Sequence, residues 1–415
     1  MKPQHSFYDV AIVGGGMVGA TLACALGDTP LRVAVVDAVS PALEWPPEGY
    51  DLRVSAITRA SQRIFETLGA WEGMVERRVS PFRDMHVWDA GGRGSIHFDS
   101  ADLGEDTLGH IIENRVIQAA LHERMARLDN VEFIAPVRLR RLAWDSDAMY
   151  LELEDGSYLA SSLLVGADGS RSWVRSQAGI SVKGWDYQQQ ALVTYVKTER
   201  PHEETAWQRF LPEGPLAFLP LTDGYSSIVW STTPEQAKHL LDLDEGSFSQ
   251  SLAEAFEHRL GEIEQVGPRA AYPLRFLQTN AYVRPRLALV GDAAHTMHPL
   301  AGQGVNLGLA DAASLAEVLL EALAARKGIG SITTLRRYER WRRADNQGML
   351  AAVDGFKRVF GSDLSVVRWA RNTGLSLTHS VLPVKNLLMR YAMGLSGDLP
   401  RLARGEALRD ALGQH

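Results

Sequence analysis

The stretch that decides the fold runs from Val10 to Asp37. It reads VAIV at 10–13, then Gly14-Gly15-Gly16-Met17-Val18-Gly19, then an apolar run of helical spacing to residue 26, then LRVAVV at 31–36 ending on Asp37. A short apolar run that stops at glycines, a run of helical spacing and a β-branched run make strand, turn, helix, strand. That is the βαβ unit that opens a doubly wound α/β sheet. Residues 14–19 fit G-x-G-x-x-G. Gly14 permits the tight turn, Gly16 lets a pyrophosphate approach the backbone, and Gly19 lets helix and strand pack closely. The helix N-terminus then offers free N–H groups and the positive end of its dipole to phosphates. Asp37, about 20 residues on, is placed to accept hydrogen bonds from ribose hydroxyls. The pattern marks a dinucleotide site without distinguishing FAD from NAD.

Two later segments narrow it. GADGSRSWVR at 166–175 follows a short buried-type strand. Two readings stand: a cofactor-contacting turn, or a plain strand-to-helix turn with Ser170 or Ser172 as the cap. The third segment is LALVGDAAH at 287–295 running into HPLAGQGVNLGLAD at 298–311. Here a strand ends at Gly291-Asp292 and a glycine-rich loop leads into a long helix. Asp292 is placed to bind the polyol of a cofactor crossing the strand end. The backbone N–H groups of residues 302–306 sit at a helix start and favour an anion there, such as the N1–C2=O edge of a reduced flavin. Three separated segments that build one flavin site point to FAD. His295 and His298 form an H-x-x-H pair, but no cysteine or third histidine nearby has ligand spacing, so no metal is expected. The absence of G-x-S-x-G removes support for serine hydrolase chemistry.

Working outward, residues 58–68 and 114–128 read as helices. Residues 131–134, 163–165 and 287–290 read as strands returning to the first sheet, and Asp155-Gly156 marks a hairpin. Strands at 191–197, 206–211, 216–219 and 226–231 form a mostly antiparallel second unit. The expected organisation is a FAD-binding domain over 1–180 with an inserted β-rich stretch near 80–110. An antiparallel substrate domain follows over 181–280, a return to the FAD domain over 281–330, and a C-terminal helical region over 331–415.

The 415 residues are 45% hydrophobic and 22% charged with a net charge of −7. That is ordinary globular composition, without the basic excess that nucleic-acid binding demands. The single cysteine, Cys24, can form no intrachain disulfide. It reads as a small buried hydrophobe in a protein of a reducing, cytoplasmic compartment. Residues 1–8 have no signal-peptide character, and no stretch reaches the roughly 18 apolar residues of a membrane span. Residues 375–395 and the cluster Arg336, Arg337, Arg340, Arg342 and Arg343 read either as packed amphipathic helices or as a lipid- or partner-facing surface.

The three motifs, in this order and spacing, resemble the group A flavoprotein aromatic hydroxylases, whose fold is that of para-hydroxybenzoate hydroxylase. The segment 298–311 is similar to the pattern of the ubiquinone-biosynthesis hydroxylases, as are DLRVSAI at 51–57, LGHIIEN at 108–114, WDYQ at 185–188, FLPL at 218–221, LRRYER at 335–340 and AMGL at 392–395.

The resemblance implies a glutathione-reductase-like FAD domain, an antiparallel substrate domain and C-terminal helices. It implies that Arg53, Asn114 and Asp168 contact the cofactor beside Gly14, Gly16, Gly19 and Asp37. Asp292 would hold the ribityl chain, and Pro299 together with Gly302, Gln303, Gly304, Val305 and Asn306 would line the isoalloxazine. Pro299 and His295 are the candidate catalytic residues; His295 or Tyr187 would assist phenol deprotonation.

The implied reaction uses NAD(P)H as a transient reductant and O2 as co-substrate. A flavin C4a-hydroperoxide would transfer one oxygen to the ring of a polyprenylated phenol or quinol. The segments at 108–114, 185–188 and 392–395 favour C5 of a 2-polyprenylphenol. Residues 205–211 and 343–346 resemble instead the branch acting on C6 of the demethoxyquinol. A small aromatic acid is a further alternative, and a non-catalytic nucleotide-binding scaffold is the reading from another class. Implied partners are a ubiquinone-biosynthesis complex, the surface of the inner membrane and a second copy of the chain. An apolar tunnel for the prenyl tail is expected, walled in part by Phe218, Leu219 and Tyr195, with no arginine clamp for a ring carboxylate.

Overall fold

A computed structural model describes residues 5–46, 48–90, 95–296, 303–360 and 393–408. The opening unit forms as strand His5–Val13, helix Met17–Ala25 and strand Val33–Val36, with residues 10–13 paired in parallel to 33–36. Tyr158–Gly166 pairs in parallel on the other side of the first strand, Leu287–Leu289 lies beyond it, and Val131–Ile134 extends the opposite edge. All four residues of Val33–Val36 are buried, as a parallel strand covered on both faces requires. The hairpin at Asp155-Gly156 forms: Met149–Leu153 runs antiparallel to Tyr158–Gly166, with Gly156 at φ +82°, a conformation glycine adopts without a Cβ penalty.

The second sheet has nine strands among the described residues. Its centre is the long strand Val182–Thr198, flanked by Tyr225–Thr232 and Ala270–Thr279, both antiparallel to it. Gly214–Pro220 and Thr205–Leu211 follow. Beyond them the sheet takes up Asp84–Asp89, parallel to Thr205–Leu211, and Ser95–Asp99. The sequence reading held this hairpin as an insertion within the first unit; in the structure its strands close the edge of the second sheet. Sequence proximity misleads here because the parallel partner of residues 84–89 lies more than a hundred residues downstream.

One face of this sheet carries its own core. Leu192, Leu216, Phe218, Ile228 and Trp230 pack against Phe248, Leu252 and Phe256 of the helix Glu245–Ala255 and the residue that caps it. Asp244 starts that helix by accepting from the Ser247 N–H, as Thr233 does from Gln236 for Pro234–Asp242, the ordinary N-cap arrangement. Side chains alternate along a strand, so Val193, Tyr195, Ala217, Leu219 and Val229 point to the other face. Phe218 is therefore misplaced in the sequence reading as a tunnel wall. It is fully buried on the helix side and stacks on Phe256 at 3.8 Å.

The helix Gln303–Ala324 lies against Met17–Ala25, and Ile332–Phe360 packs on it in turn. Of the basic cluster, Arg336 and Arg340 are exposed and Arg337 pairs with Glu321, but Arg342 is only 3% exposed and points inward. It is no part of a lipid-facing charge surface. Most of residues 375–395 lies outside the described residues. No helix among the described residues is long and apolar enough to cross a membrane. Cys24 is buried, with its thiol pushed up to about 12 by burial, so it is inert at neutral pH.

Phe218→Ala should cost about 3–5 kcal/mol of stability, the usual range for emptying an aromatic site in a core. It should leave cofactor affinity unchanged, because the residue faces the helices. Urea unfolding and cofactor titration of the same variant check both halves.

Candidate active site

The three glycine-bearing segments meet at the carboxyl ends of the parallel strands, where ligands bind in doubly wound sheets. Contact distances show how tightly. A Cβ on Gly14, which sits at φ +105°, would lie 2.5 Å from the Ala167 carbonyl oxygen. One on Gly19 would lie 1.9 Å from the Gly14 carbonyl oxygen. Val18 sits between Gly291 and Gly308; a Cβ on Gly308 would come within 2.7 Å of it. The second and third segments are tied together as well. Val290 N–H donates to Gly166 O at 3.0 Å, and the buried Arg175 donates to Ala293 O at 3.0 Å and Ser170 O at 2.8 Å.

Gly16 differs from these. A Cβ there would meet nothing nearer than Gln118 Nε2 at 3.8 Å, and one on Gly304 would meet nothing within 4 Å. The chain itself does not require glycine at either position. Each lies at a helix start, Gly16 as N-cap of Met17–Ala25 and Gly304 in the first turn of Gln303–Ala324, where N–H groups lack intrahelical acceptors. Backbone left bare at two helix N-termini on one side of a sheet fits a long anionic ligand laid across both, and FAD is such a ligand.

The acidic and polar candidates surround this line. Asp37 Oδ2 accepts from Gly15 N at 2.6 Å and Oδ1 from Val39 N at 2.9 Å, which orients the carboxylate at the strand end. Asp292 is exposed. The protein around it lifts its pKa above the ordinary carboxylate value by desolvation, against the pull of His295 and Arg53. Arg53 is exposed, and its backbone carbonyl accepts from Asn114 N at 2.9 Å. Asn114 Oδ1 accepts from Ser55 Oγ at 2.7 Å.

Other candidates are committed within the chain. Both oxygens of Asp168 are engaged, by Ser172 Oγ at 2.5 Å and Val174 N at 3.0 Å. Ser172 caps Trp173–Gln177 through Arg175 N, the capping alternative left open above. The side chain of Asn306 bridges to the neighbouring strand, with Nδ2 to Ala56 O at 2.8 Å and Oδ1 from Thr58 N at 3.1 Å. His295 is buried, and its Nε2 meets Asp311 Oδ2 at 2.5 Å. Its ring also lies against that of Tyr282, with centroids 5.8 Å apart. Val305 stands in the first turn of its helix and is partly exposed. Pro299, Gly302 and His298 lie outside the described residues, and of Gln303 only the backbone is described. Among the described residues no group of three ligand-type side chains could hold a metal. Among the described residues, Tyr195 lines a polar cleft of about 480 Å³ with Tyr50, Arg78, Asp223 and Tyr225.

Two features escaped the sequence reading. Glu113 is 2% exposed and receives Arg78 Nε at 2.8 Å, Arg115 Nε at 2.9 Å and Asp51 N at 2.6 Å. It thereby fixes the segment that carries Arg53. Asp311 is fully buried and receives His295 Nε2, Gly291 N at 3.0 Å and Arg342 Nε at 2.8 Å. Burial alone would raise its pKa; the attraction of His295 and Arg342 outweighs that and brings it to about 2. With the folded value depressed, this carboxylate stabilises the fold fully above the ordinary carboxyl range and stops doing so as the pH falls toward 2. Both residues lay within quoted motifs. The signal that would have found them is an acid with no surface role at the end of an apolar run.

Comparison with known proteins agrees with this geometry. The model of the family described as FAD binding domain matches residues 7–353. The chain is 42% identical over 403 residues to the ubiquinone hydroxylase UbiL of Rhodospirillum rubrum, covering 96% of this chain and 93% of that one. It is 38% identical to the 3-demethoxyubiquinol 3-hydroxylase of Escherichia coli, covering 93% and 98%. Among solved structures, the p-nitrophenol 4-monooxygenase PnpA of Pseudomonas putida superposes with a TM-score of 0.75 at 21% identity, covering 94% of this chain and 99% of that one. That similarity shows the fold.

Gly16→Val should give a folded protein that purifies largely without FAD, because the chain tolerates the side chain and the pyrophosphate does not. The flavin absorbance per polypeptide measures this; a full complement in the variant would remove the glycine turn from the cofactor site.

Proposed function

The chain belongs to the FAD-binding-domain family, among the ubiquinone-biosynthesis hydroxylases, and we propose on that premise that it hydroxylates the ring of a polyprenylated demethoxyquinol. The observation that carries the choice of substrate is the similarity to the demethoxyubiquinol hydroxylase of Escherichia coli over nearly the whole of both chains. It supports the demethoxyquinol alternative better than the C5 position of a 2-polyprenylphenol, toward which the motif comparison leaned. Two segments that resemble the demethoxyquinol branch agree: 205–211, and 343–346, which ends at the buried Asn346 beside Asp311.

FAD, when bound, supplies reduction by NAD(P)H and activation of O2, the chemistry that side chains cannot perform. The net reaction takes NAD(P)H, a proton, O2 and the quinol to NAD(P)+, water and the hydroxylated quinol. The chain supplies placement. Gly14, Gly16 and Gly19 would let the first helix N-terminus approach the pyrophosphate, and Asp37 would hold the ribose. Asp292 and Arg53 would hold the ribityl chain. The start of Gln303–Ala324 would present its dipole to the ring and favour negative charge there. Asn306 holds that helix start to the strand Val54–Thr58. The sheet face bearing Val193, Ala217, Leu219 and Val229, opposite the Phe218 core, offers an apolar wall to a prenylated ring. His295 acts as a support of the strand end, with its Nε2 committed to Asp311. An encounter with the inner membrane, where such substrates partition, and membership of a biosynthetic complex belong to the same proposal.

Expression in cells lacking one quinone hydroxylase step at a time tests the choice. Quinone should be restored in cells blocked at the demethoxyquinol step, with loss of the accumulated demethoxyquinol. Restoration only of the 2-polyprenylphenol step, or turnover only of para-hydroxybenzoate by the purified enzyme, would overturn it.

A further inference from the structure

His295 and Asn306 are each held by polar contacts inside the fold, and both sets of contacts lead to the C-terminal region. Asp311 Oδ2 accepts from His295 Nε2 and from Gly291 N, so one oxygen holds the strand and the turn that carries Asp292. The other oxygen accepts from Arg342 Nε at 2.8 Å. Arg342, on Ile332–Phe360, spends its remaining nitrogens on Asp345 at 2.8 Å and Asn346 at 3.1 Å. Asn346 Nδ2 reaches Tyr282 Oη at 3.4 Å. Asn306 in turn is held by Thr58 and Ala56. The tail crosses directly over that point: Ala60 N donates to Met393 O at 3.4 Å. A Cβ on Gly394, at φ +68°, would lie 3.1 Å from Ala60 Cβ and 3.4 Å from Thr58 Oγ1.

A buried ion pair is a costly way to fasten two helices, since apolar packing serves equally well. Here the carboxylate of that pair also fixes the backbone of the Gly291-Asp292 turn. We propose that Arg342 and Gly394 are positioning residues for the cofactor site, through which the C-terminal region holds the Gly291–His295 turn and the start of Gln303–Ala324 and sets FAD affinity. Arg342 acts through Asp311 on His295 and the Asp292 turn. Gly394 acts through Thr58 on Asn306 and the start of Gln303–Ala324. The inference rests on the FAD site and is independent of which quinol is hydroxylated.

The test compares variants of the full-length chain by FAD titration of apoprotein and by thermal unfolding of the same apoprotein. Arg342→Met and Gly394→Val should each weaken FAD by about tenfold or more, a change equal to about 1.4 kcal/mol, and should alter the visible circular dichroism of the bound flavin. Arg342→Lys keeps one charge–charge contact but not the fork, and should bind FAD with intermediate affinity. Phe218→Ala is the control for stability alone: its melting temperature should fall while its FAD affinity stays within about twofold of wild type. If Arg342→Met does not fold, Arg342→Lys decides. Wild-type FAD affinity in Arg342→Lys and Gly394→Val, or equal weakening in Phe218→Ala, would reduce these residues to ordinary contributors to stability and overturn the proposal.

Discussion

The carboxylate of Asp311, without solvent exposure and held as an anion by His295, Gly291 and Arg342, is the constraint on which the rest of the site depends. A lone charge in such a place would be ruinous, so its donors are fixed once it is buried. Each donor lies on a different element: the turn after Leu287–Leu289, the short strand at His295 and the helix Ile332–Phe360. Satisfying one anion therefore fixes where the chain leaves the parallel sheet, how the Asp292 turn faces, and how the C-terminal helix lies on Gln303–Ala324. Tyr338 adds a further tie, donating to Leu289 O at 2.8 Å. Polar groups wholly inside a fold impose this kind of single solution when every partner is satisfied.

Around that anchor the site is shaped mainly by the absence of side chains, and the glycines divide by what they avoid. Gly14, Gly19 and Gly308 avoid the chain itself, since a Cβ on any of them would strike a neighbouring backbone or Val18. Gly16 and Gly304 have room for a side chain, so nothing in the chain itself requires glycine there. The distinction explains how segments nearly 300 residues apart in sequence make one line of bare backbone between two helix starts. The second sheet is set by a different rule. Strand alternation gives the helices one face of the second sheet, with Phe218 and Trp230, and leaves the smaller residues Val193, Ala217 and Val229 on the opposite face.

Much of this was legible in the sequence because it rests on local rules. The βαβ unit follows from period and glycine placement, and the hairpin at Asp155-Gly156 from its turn residues. The buried strand at 33–36 follows from its β-branched run. The meeting of the three motifs was legible only as a pattern of spacing. What escaped depends on partners distant in sequence or on parity. Arg342 sits among four other arginines and reads as surface charge; its partner is an aspartate 31 residues earlier whose burial no local pattern announces. Phe218 and Leu219 are both apolar, so alternation could not say which faces the helices. The hairpin at 84–99 looks self-contained until the strand at Thr205–Leu211 supplies its parallel edge. The resemblance implies cofactor contacts for Asp168 and Asn306, and the structure gives both of them hydrogen bonds within the chain.

The central claim is that this chain places FAD so that one oxygen atom from O2 reaches the ring of a prenylated quinol. Incubating the purified holoenzyme with NAD(P)H and a short-chain demethoxyquinol under oxygen-18 gas, in ordinary water, tests it most directly by mass spectrometry of the product. The account predicts a single new hydroxyl that carries the heavy isotope and forms only when FAD is present. A hydroxyl carrying oxygen from water, or reductant consumption that yields only peroxide with every prenylated quinol offered, would contradict it.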